Sequence, residues 1–315
     1  MKKELKSKLI ENVSWCKYGE IISCPFCSSH SSKQHIYEEY NWVTLNLVTC
    51  IDCGHIYSNP RPTKESLFEY YSSQYLKHSG VMLPTTKSDI FQPNSLWSKK
   101  MKRYDYYLSL LPINNKKEPK ILDIGCSWGG LLTSASKYFN TNSLLGVDVS
   151  SKAIDFITEQ MKFQGFQGTL IDYTKNSTEK FDYIFSSHSL EHSLNPKQEL
   201  VLIERLLNKD GTFFLTIPNH SSFMTDEMKG YSPAVRGGNH YHFFNHNFLS
   251  SELLKLGFTV LRSFTSSLFS PHIETLNSLL NMKQQDKQQM NIKDLDEKYQ
   301  GEFLYFILKK TNSIL

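Results

Sequence analysis

From Lys120 onward the chain alternates two kinds of pattern. Short apolar runs, "KILDIG", "SLLGVDV", "GTLID", "FDYIFSS" and "GTFFLTIP", are separated by stretches with apolar residues three and four apart, notably "SKAIDFITEQMKF" and "PKQELVLIERLLNK". A short apolar run bounded by turn residues fits a strand buried on both faces, and the three-four spacing fits an amphipathic helix. Their alternation predicts an α/β fold, a parallel sheet with helices on both faces. The last two runs, "GFTVLRSFTSS" and "GEFLYFILKKT", break the rhythm. They are expected to finish the sheet, seven strands in all, as a terminal antiparallel pair. Between them, a polar Gln- and Lys-rich insertion at about 268–300 reads as helical or partly disordered.

The first part of the chain reads differently. "WVTLNLVTC" alternates apolar and polar residues like a half-buried strand. Pro60 and Pro62 end that β-rich region, and Thr63 is placed to cap a short helix. Residues 77–95 are polar, carry Gly and Pro, and read as a mobile segment, followed by a helical stretch "LWSKKMKRYDYYLSLL". The organisation expected is an N-terminal region at 1–75, a helical linker or lid at 76–117, and a larger domain at 118–315.

Cysteine spacing changes the picture of the N-terminal region. Cys24, Cys27, Cys50 and Cys53 form C-x2-C-x22-C-x2-C. Each C-x2-C turn points two thiolates at one centre, and two such turns close a tetrahedron around a metal. The region is therefore expected to be a small β-rich zinc ribbon whose metal is structural, with all four positions taken by protein; iron takes the same ligands. The formal net charge is only +4, too little to demand a nucleic-acid partner. No apolar run is long enough to span a bilayer and no secretory leader is visible, so the chain reads as cytoplasmic.

Three acids fall where an open α/β sheet binds ligands, at the carboxyl ends of its strands. Asp123 precedes the turn "GCSWGG", Asp148 ends the second run about 20 residues later, at the distance suited to ribose hydroxyls, and Asp172 ends "GTLID", where it would meet an adenine amino group. The dinucleotide fingerprint G-x-G-x-x-G is missing from the turn, which runs Gly125-Cys126-Ser127-Trp128-Gly129-Gly130. A carboxylate at the turn suits a cationic ligand bearing an amino group. S-adenosylmethionine, with its sulfonium and ammonium, fits that description.

"LDIGCSWGG" resembles the first motif of class I S-adenosylmethionine-dependent methyltransferases. "FDYIFSSHSLEHSLNPKQELVLIERLLNKDGTFFLTIPN" resembles the fourth-to-fifth-strand block of their ubiquinone-biosynthesis-like branch. The ribbon, continuing into "NPRP", is similar to the zinc-binding region of sugar C-methyltransferases. The resemblance implies a Rossmann-like sheet and a cofactor site. Asp123, Gly125, Ser127 and Gly129 would hold the methionine moiety, Asp148 the ribose, Asp172 and Tyr173 the adenine, and Ser187 with His188 the methyl-donor end. Relatives carry Gly where Ser127 stands.

For the acceptor side, the histidines of "SHSLEHS" and "GGNHYHFFNH" are the candidates, namely His188, His192, His240 and His242, because imidazole titrates near neutrality. Glu191 accompanies them. Trp128 and "YDYYL" read as packing. The expected reaction is methyl transfer to O or C of a small polar metabolite, a sugar nucleotide or natural-product intermediate. An RNA methyltransferase using its ribbon as the RNA-binding module, and a degenerate cofactor-binding protein, are the alternatives.

Overall fold

The computed structural model describes residues 19–35, 47–71, 83–112, 116–229, 232–236, 240–285 and 291–311. The first part of "WVTLNLVTC" and residues 77–82 of the 77–95 segment lie outside the described residues. The rest of that segment, expected to be mobile, holds the short helix Lys87–Phe91, whose start is tied by the Thr86 amide donating to Asp89 Oδ2 at 2.8 Å.

In the N-terminal region, β1 (Ser32–Gln34), β2 (Leu47–Cys50) and β3 (Ile56–Ser58) form an antiparallel sheet. The main sheet begins with β4 (Ile121–Ile124), β5 (Leu144–Asp148) and β6 (Gln164–Gln167), and continues with β7 (Phe181–Ser187) and β8 (Leu207–Pro218). A two-residue β9 (His242–Phe243) follows, then β10 (Phe258–Ser266) and β11 (Phe303–Lys310). The seven-stranded order is β10-β11-β8-β7-β4-β5-β6. β8 through β6 run parallel, while β11 is antiparallel to both its neighbours. This is the Rossmann-like sheet expected from the pattern. Asp123 sits in register between Gly146 of β5 and Phe185 of β7, at the centre of the sheet.

Side chains alternate between the two faces, as strands require. Leu122, Ile124, Phe213 and Leu215 belong to one core, with Ile121, Phe185 and Phe214 in the other. The first core also contains Cys24, Phe26, Cys50 and Tyr57, so the ribbon shares its apolar interior with the larger domain. The second is covered by the helices Leu96–Ser109 and Gly130–Phe139, and Tyr107 of the first of these stacks near Phe214 and Tyr305. Thr63 caps the helix Lys64–Glu69, accepting from the Ser66 amide. The insertion forms the helices Ile273–Gln285 and Ile292–Glu297, whose Leu276, Leu280 and Leu295 pack on Phe223 and Met224.

Two expectations change. The third strand is "QGFQ", not "GTLID": Leu170–Tyr173 is a helical turn. Thr169 and Asp172 make a capping box there, and that local signal outweighs the apolar run. The true strand is at the sheet edge, with exposed ends, so it shows no apolar run to read. The second change concerns the ribbon, whose sheet is β1-β2-β3-β9. Its fourth strand comes from "HF" far along the chain, pairing Ile56 with Phe243 and Tyr57 with His242.

Candidate active site

The turn after β4 is built on left-handed backbone. Gly125 and Gly129 have φ of 73°, and Ser127 has φ of 49°. A Cβ on Gly125 would lie 2.5 Å from Ser189 Oγ, so only glycine fits. At Ser127 a side chain is tolerated at a cost of about 1–2 kcal/mol, which glycine would avoid. The turn is tied to β5: the Gly125 amide donates to Val147 O at 2.8 Å, and the Ser127 amide to Asp148 Oδ2 at 2.9 Å. Asp148 Oδ1 accepts the Ser150 amide at 2.9 Å. Burial pushes the Asp148 carboxyl up, although these amides oppose it. Asp123 is almost fully buried, and burial, then the charge of Asp148, push its carboxyl far above the usual range. Two crowded carboxyls with raised pKa values fit a positively charged ligand, which would relieve both.

A cavity of about 330 Å³ opens at the carboxyl ends of β4, β5, β6 and β7. Asp123, Gly125, Ser127, Asp148, Ser187, His188 and His192 line it, in the position expected for the ligand site of such a sheet. Gly129 supports the turn from outside the wall. Asp172 and Tyr173, expected beside the adenine, do not line this cavity. Asp172 is drawn away by its cap and by ion pairs with Lys64 at 3.0 Å and Lys175 at 2.7 Å, which hold its carboxyl well below the usual range despite its partial burial. Thr169 and Leu170 stand on the wall in their place.

Arg103 was not singled out by the sequence, where it is one basic residue among several in "SKKMKRYDYY". Its Nε is buried without a hydrogen-bond partner among the described residues, and its guanidinium lies on the cavity wall over Tyr104. Only the packing of the helix Leu96–Ser109 against the sheet turns it inward.

Beyond β7 the chain enters a single turn, Leu190–His192. His188, with φ of 53°, places Nδ1 3.6 Å from Glu191 Oε1, and His192 Nε2 lies 3.9 Å from the same oxygen. His240 donates through Nδ1 to Ala234 O at 2.9 Å and brings its ring to 4.8 Å from that of His192. Glu191, His192 and His240 each offer a ligand-type atom, all within 4.8 Å of one another. Burial alone would raise the Glu191 carboxyl, whose two oxygens have no hydrogen-bond partner among the described residues; the neighbouring His188 and the other imidazoles outweigh it and hold it down to about 2. Burial also lowers His188, more than Glu191 raises it. His242, expected on the acceptor side, lies elsewhere. It is 2% exposed, off the cavity wall, and bonded to His55 and to Ser193 O.

In the ribbon, the two knuckles repeat the same local geometry. The Ser28 amide donates to Cys24 O, and the Gly54 amide to Cys50 O, at 2.9 and 3.0 Å. Both residues are left-handed, at φ of 62° and 76°. Cys24 Sγ lies 3.5 Å from Cys53 Sγ, Cys27 Sγ lies 3.4 Å from Cys50 Sγ, and all four sulfurs are within 4.8 Å. Zinc–sulfur bonds of about 2.3 Å in a tetrahedron put sulfurs about 3.8 Å apart, so the donor set fits such an ion. Burial pushes the Cys24 thiol up to about 11, so a cation is what would ionise it.

Residues 96–263 match the methyltransferase domain family, and the chain belongs to it. Its fold is that of an S-adenosylmethionine-dependent methyltransferase. The ubiquinone biosynthesis O-methyltransferase of Actinobacillus pleuropneumoniae serotype 7 is 31% identical over 111 residues, 32% of this chain and 47% of that protein. The mitochondrial ubiquinone biosynthesis O-methyltransferase of Dictyostelium discoideum is 23% identical over 167 residues, 48% of this chain and 51% of that protein. The chain thus spans about half the length of the curated relatives it matches. The cyclopropane synthase MmaA2 of Mycobacterium tuberculosis, at 16% identity and a TM-score of 0.48, covers 78% of this chain and 93% of its own. That likeness is too slight to carry a functional argument. Among the described residues no helix is long and apolar enough to cross a membrane.

Proposed function

We propose that the chain methylates an O or C atom of a small polar metabolite, a sugar nucleotide or natural-product intermediate being the class favoured. One observation carries the reading: a single cavity is walled by Asp123 and Asp148 on one side and by His188 and His192 on the other. The acids of β4 and β5 take the cationic and ribose parts of the cofactor, and Arg103, lacking an acidic partner among the described residues, takes its carboxylate. Gly125, Ser127 and Gly129 shape the turn beneath it, Thr169 and Leu170 border the adenine, and Ser187 lies at the methyl-donor end.

When bound, S-adenosylmethionine supplies an electrophilic methyl group on a sulfonium. The protein's part is to align an acceptor with it, and alignment of this kind supplies much of the rate. Glu191 orients the His188 ring through Nδ1, leaving Nε2, buried and without a hydrogen-bond partner, to take the acceptor's proton. Burial favours the neutral form of His188, the form able to accept a proton. His192 borders the same acceptor space, and His240, off the cavity wall, packs behind it with its ring 4.8 Å away. The four cysteines hold a structural zinc ion. The modest charge of the chain favours a small acceptor over RNA.

Calorimetric titration with S-adenosylhomocysteine tests the cofactor site. The wild type is expected to bind in the micromolar range, and Asp148→Ala about 30-fold or more weaker, the loss of charged hydrogen bonds. Unaltered affinity in that variant overturns the assignment. Labelled methyl transfer to a panel of sugar nucleotides and phenols, with RNA included, reads the acceptor class; transfer to RNA alone overturns the small-molecule reading.

A further inference from the structure

We propose that the four-cysteine ribbon positions the cavity wall through a hydrogen-bond relay that runs from His55 to His242 to Ser193 and ends on Glu199. The inference rests on the cavity being the cofactor and acceptor site and adds to it a set of positioning residues outside the cavity. His55 follows the second knuckle directly, after Cys53 and Gly54. It is packed against Phe26 and Phe248, with ring centroids 4.7 and 4.8 Å away.

The direction of each bond follows from chemistry. Ser193 O can only accept, so His242 Nε2 carries a hydrogen and donates across 2.9 Å. His242 Nδ1 is then bare and accepts from His55 Nε2 at 3.1 Å. Ser193 Oγ accepts the Asn195 amide at 3.1 Å and donates to Glu199 Oε1 at 2.8 Å. Ser193, Asn195 and Glu199 all stand on the cavity wall. The relay is almost wholly buried, with His55 at 1% and His242 at 2% exposure, so water cannot substitute for a missing partner.

Other ties reach the same loop. Arg61, which is bridged to Glu20, donates to Leu194 O. Lys197, at the start of the helix Pro196–Leu206, donates to Phe26 O inside the first knuckle. Thus the consecutive carbonyls of Ser193 and Leu194 are held by His242, on the strand that the ribbon sheet takes in, and by Arg61 of the N-terminal region. Neither carbonyl belongs to a sheet ladder that would otherwise fix it. The β3–β9 pairing carries His242 to its place, so an ordered ribbon sets the loop and the loop sets the wall.

The test uses the metal-loaded full chain with His242→Phe and His242→Gln. Phe fills the space and makes neither bond, whereas Gln keeps a donor for Ser193 O. His242→Phe is expected to bind S-adenosylhomocysteine about tenfold more weakly, with its metal content intact, and Gln to restore affinity to within about twofold of wild type. Wild-type affinity in His242→Phe overturns the proposal. Should that variant fail to fold, hydrogen exchange on the wild type before and after chelation decides. Peptides over 190–200 are expected to exchange about tenfold faster after chelation, with 181–187 unaltered. Faster exchange confined to 24–58 overturns the relay. A wild type that binds no S-adenosylhomocysteine would sink the cofactor assignment alone, because the exchange measurement needs no ligand.

Discussion

Two clusters of metal-ligand-type side chains are built by opposite routes. The cysteine cluster is made by two short turns with the same backbone hydrogen bonds and the same left-handed residue after the second cysteine. The cluster of Glu191, His192 and His240 joins residues almost fifty positions apart. It is held by the Tyr241 amide, which donates to Glu191 O at 2.8 Å, and by the pairing of β9 with β3. The first cluster is a property of local turns, the second of the completed fold. The electrostatics differ as well. Buried thiols without a counter-charge favour the neutral form, as in Cys24, whereas Glu191 is already ionised among its imidazoles. The comparison teaches that one cluster is joined by turns of matching geometry and the other by the pairing of β9 with the ribbon sheet.

The largest effect should come from breaking the local cluster. Cys50→Ser is expected to lose the bound metal by elemental analysis and to melt the ribbon sheet by circular dichroism. Structural zinc commonly supplies on the order of 10 kcal/mol of folding energy to small sites. An unchanged metal content would refute the ribbon. Next is Glu191→Gln, which breaks the second cluster at its carboxylate. With an acceptor in hand, kcat should fall about 10²–10³-fold, the range for a disturbed general base. S-adenosylhomocysteine affinity should stay near wild type; a change in affinity without a change in kcat would remove Glu191 from the chemistry.

Two buried glutamates then give opposite pH slopes. Glu191 is depressed from 4.5 to about 2, so its stabilisation is present above pH 4.5 and is lost as pH falls toward 2. Glu199 is raised from 4.5 to about 7 by burial, against the opposing Ser193 bond, so the native state binds the extra proton and stability falls as pH rises from 4.5 to 7. Glu199→Gln should flatten that neutral limb in urea titrations while leaving the acid limb. An undiminished slope would contradict the protonated carboxyl at the cavity wall. The smallest effect belongs to Ser127→Gly in the turn. Relief of the left-handed backbone, less glycine's extra chain entropy, should raise unfolding free energy by about 0.5–1 kcal/mol. Cofactor affinity should not change, and a loss of stability would mean that the Ser127 side chain is needed where it stands.

Much of the sheet was legible because its central strands are buried on both faces and therefore apolar throughout. The edge strand β6 was not, since half-exposed "QGFQ" carries no such mark and the neighbouring "LIDY" imitates a strand. The acids showed the same division. Asp123 and Asp148 are placed by the sheet register and were found from strand ends. Asp172 was expected at a strand end, whereas a capping box at Thr169 sets it on a helical turn facing Lys64 and Lys175. For the histidines, position in the motif gave the set but not the sorting. "HYH" puts His240 and His242 two residues apart, and only the strand at 242–243 sends one to Glu191 and the other to His55.

The sequence by itself determined the features that depend on neighbours along the chain. Strand and helix periodicity, the cysteine knuckles, the turn after β4 and the order of the acids all arise from steric and hydrogen-bonding rules acting over a few residues. The tertiary structure alone decided which distant groups face one another. It turned Arg103 into the cavity, took β9 into the ribbon sheet, paired His55 with His242, and set the ribbon against the loop at Ser193. Those choices follow from burial: once apolar surfaces close, each enclosed polar atom must find a partner wherever the packing has put one.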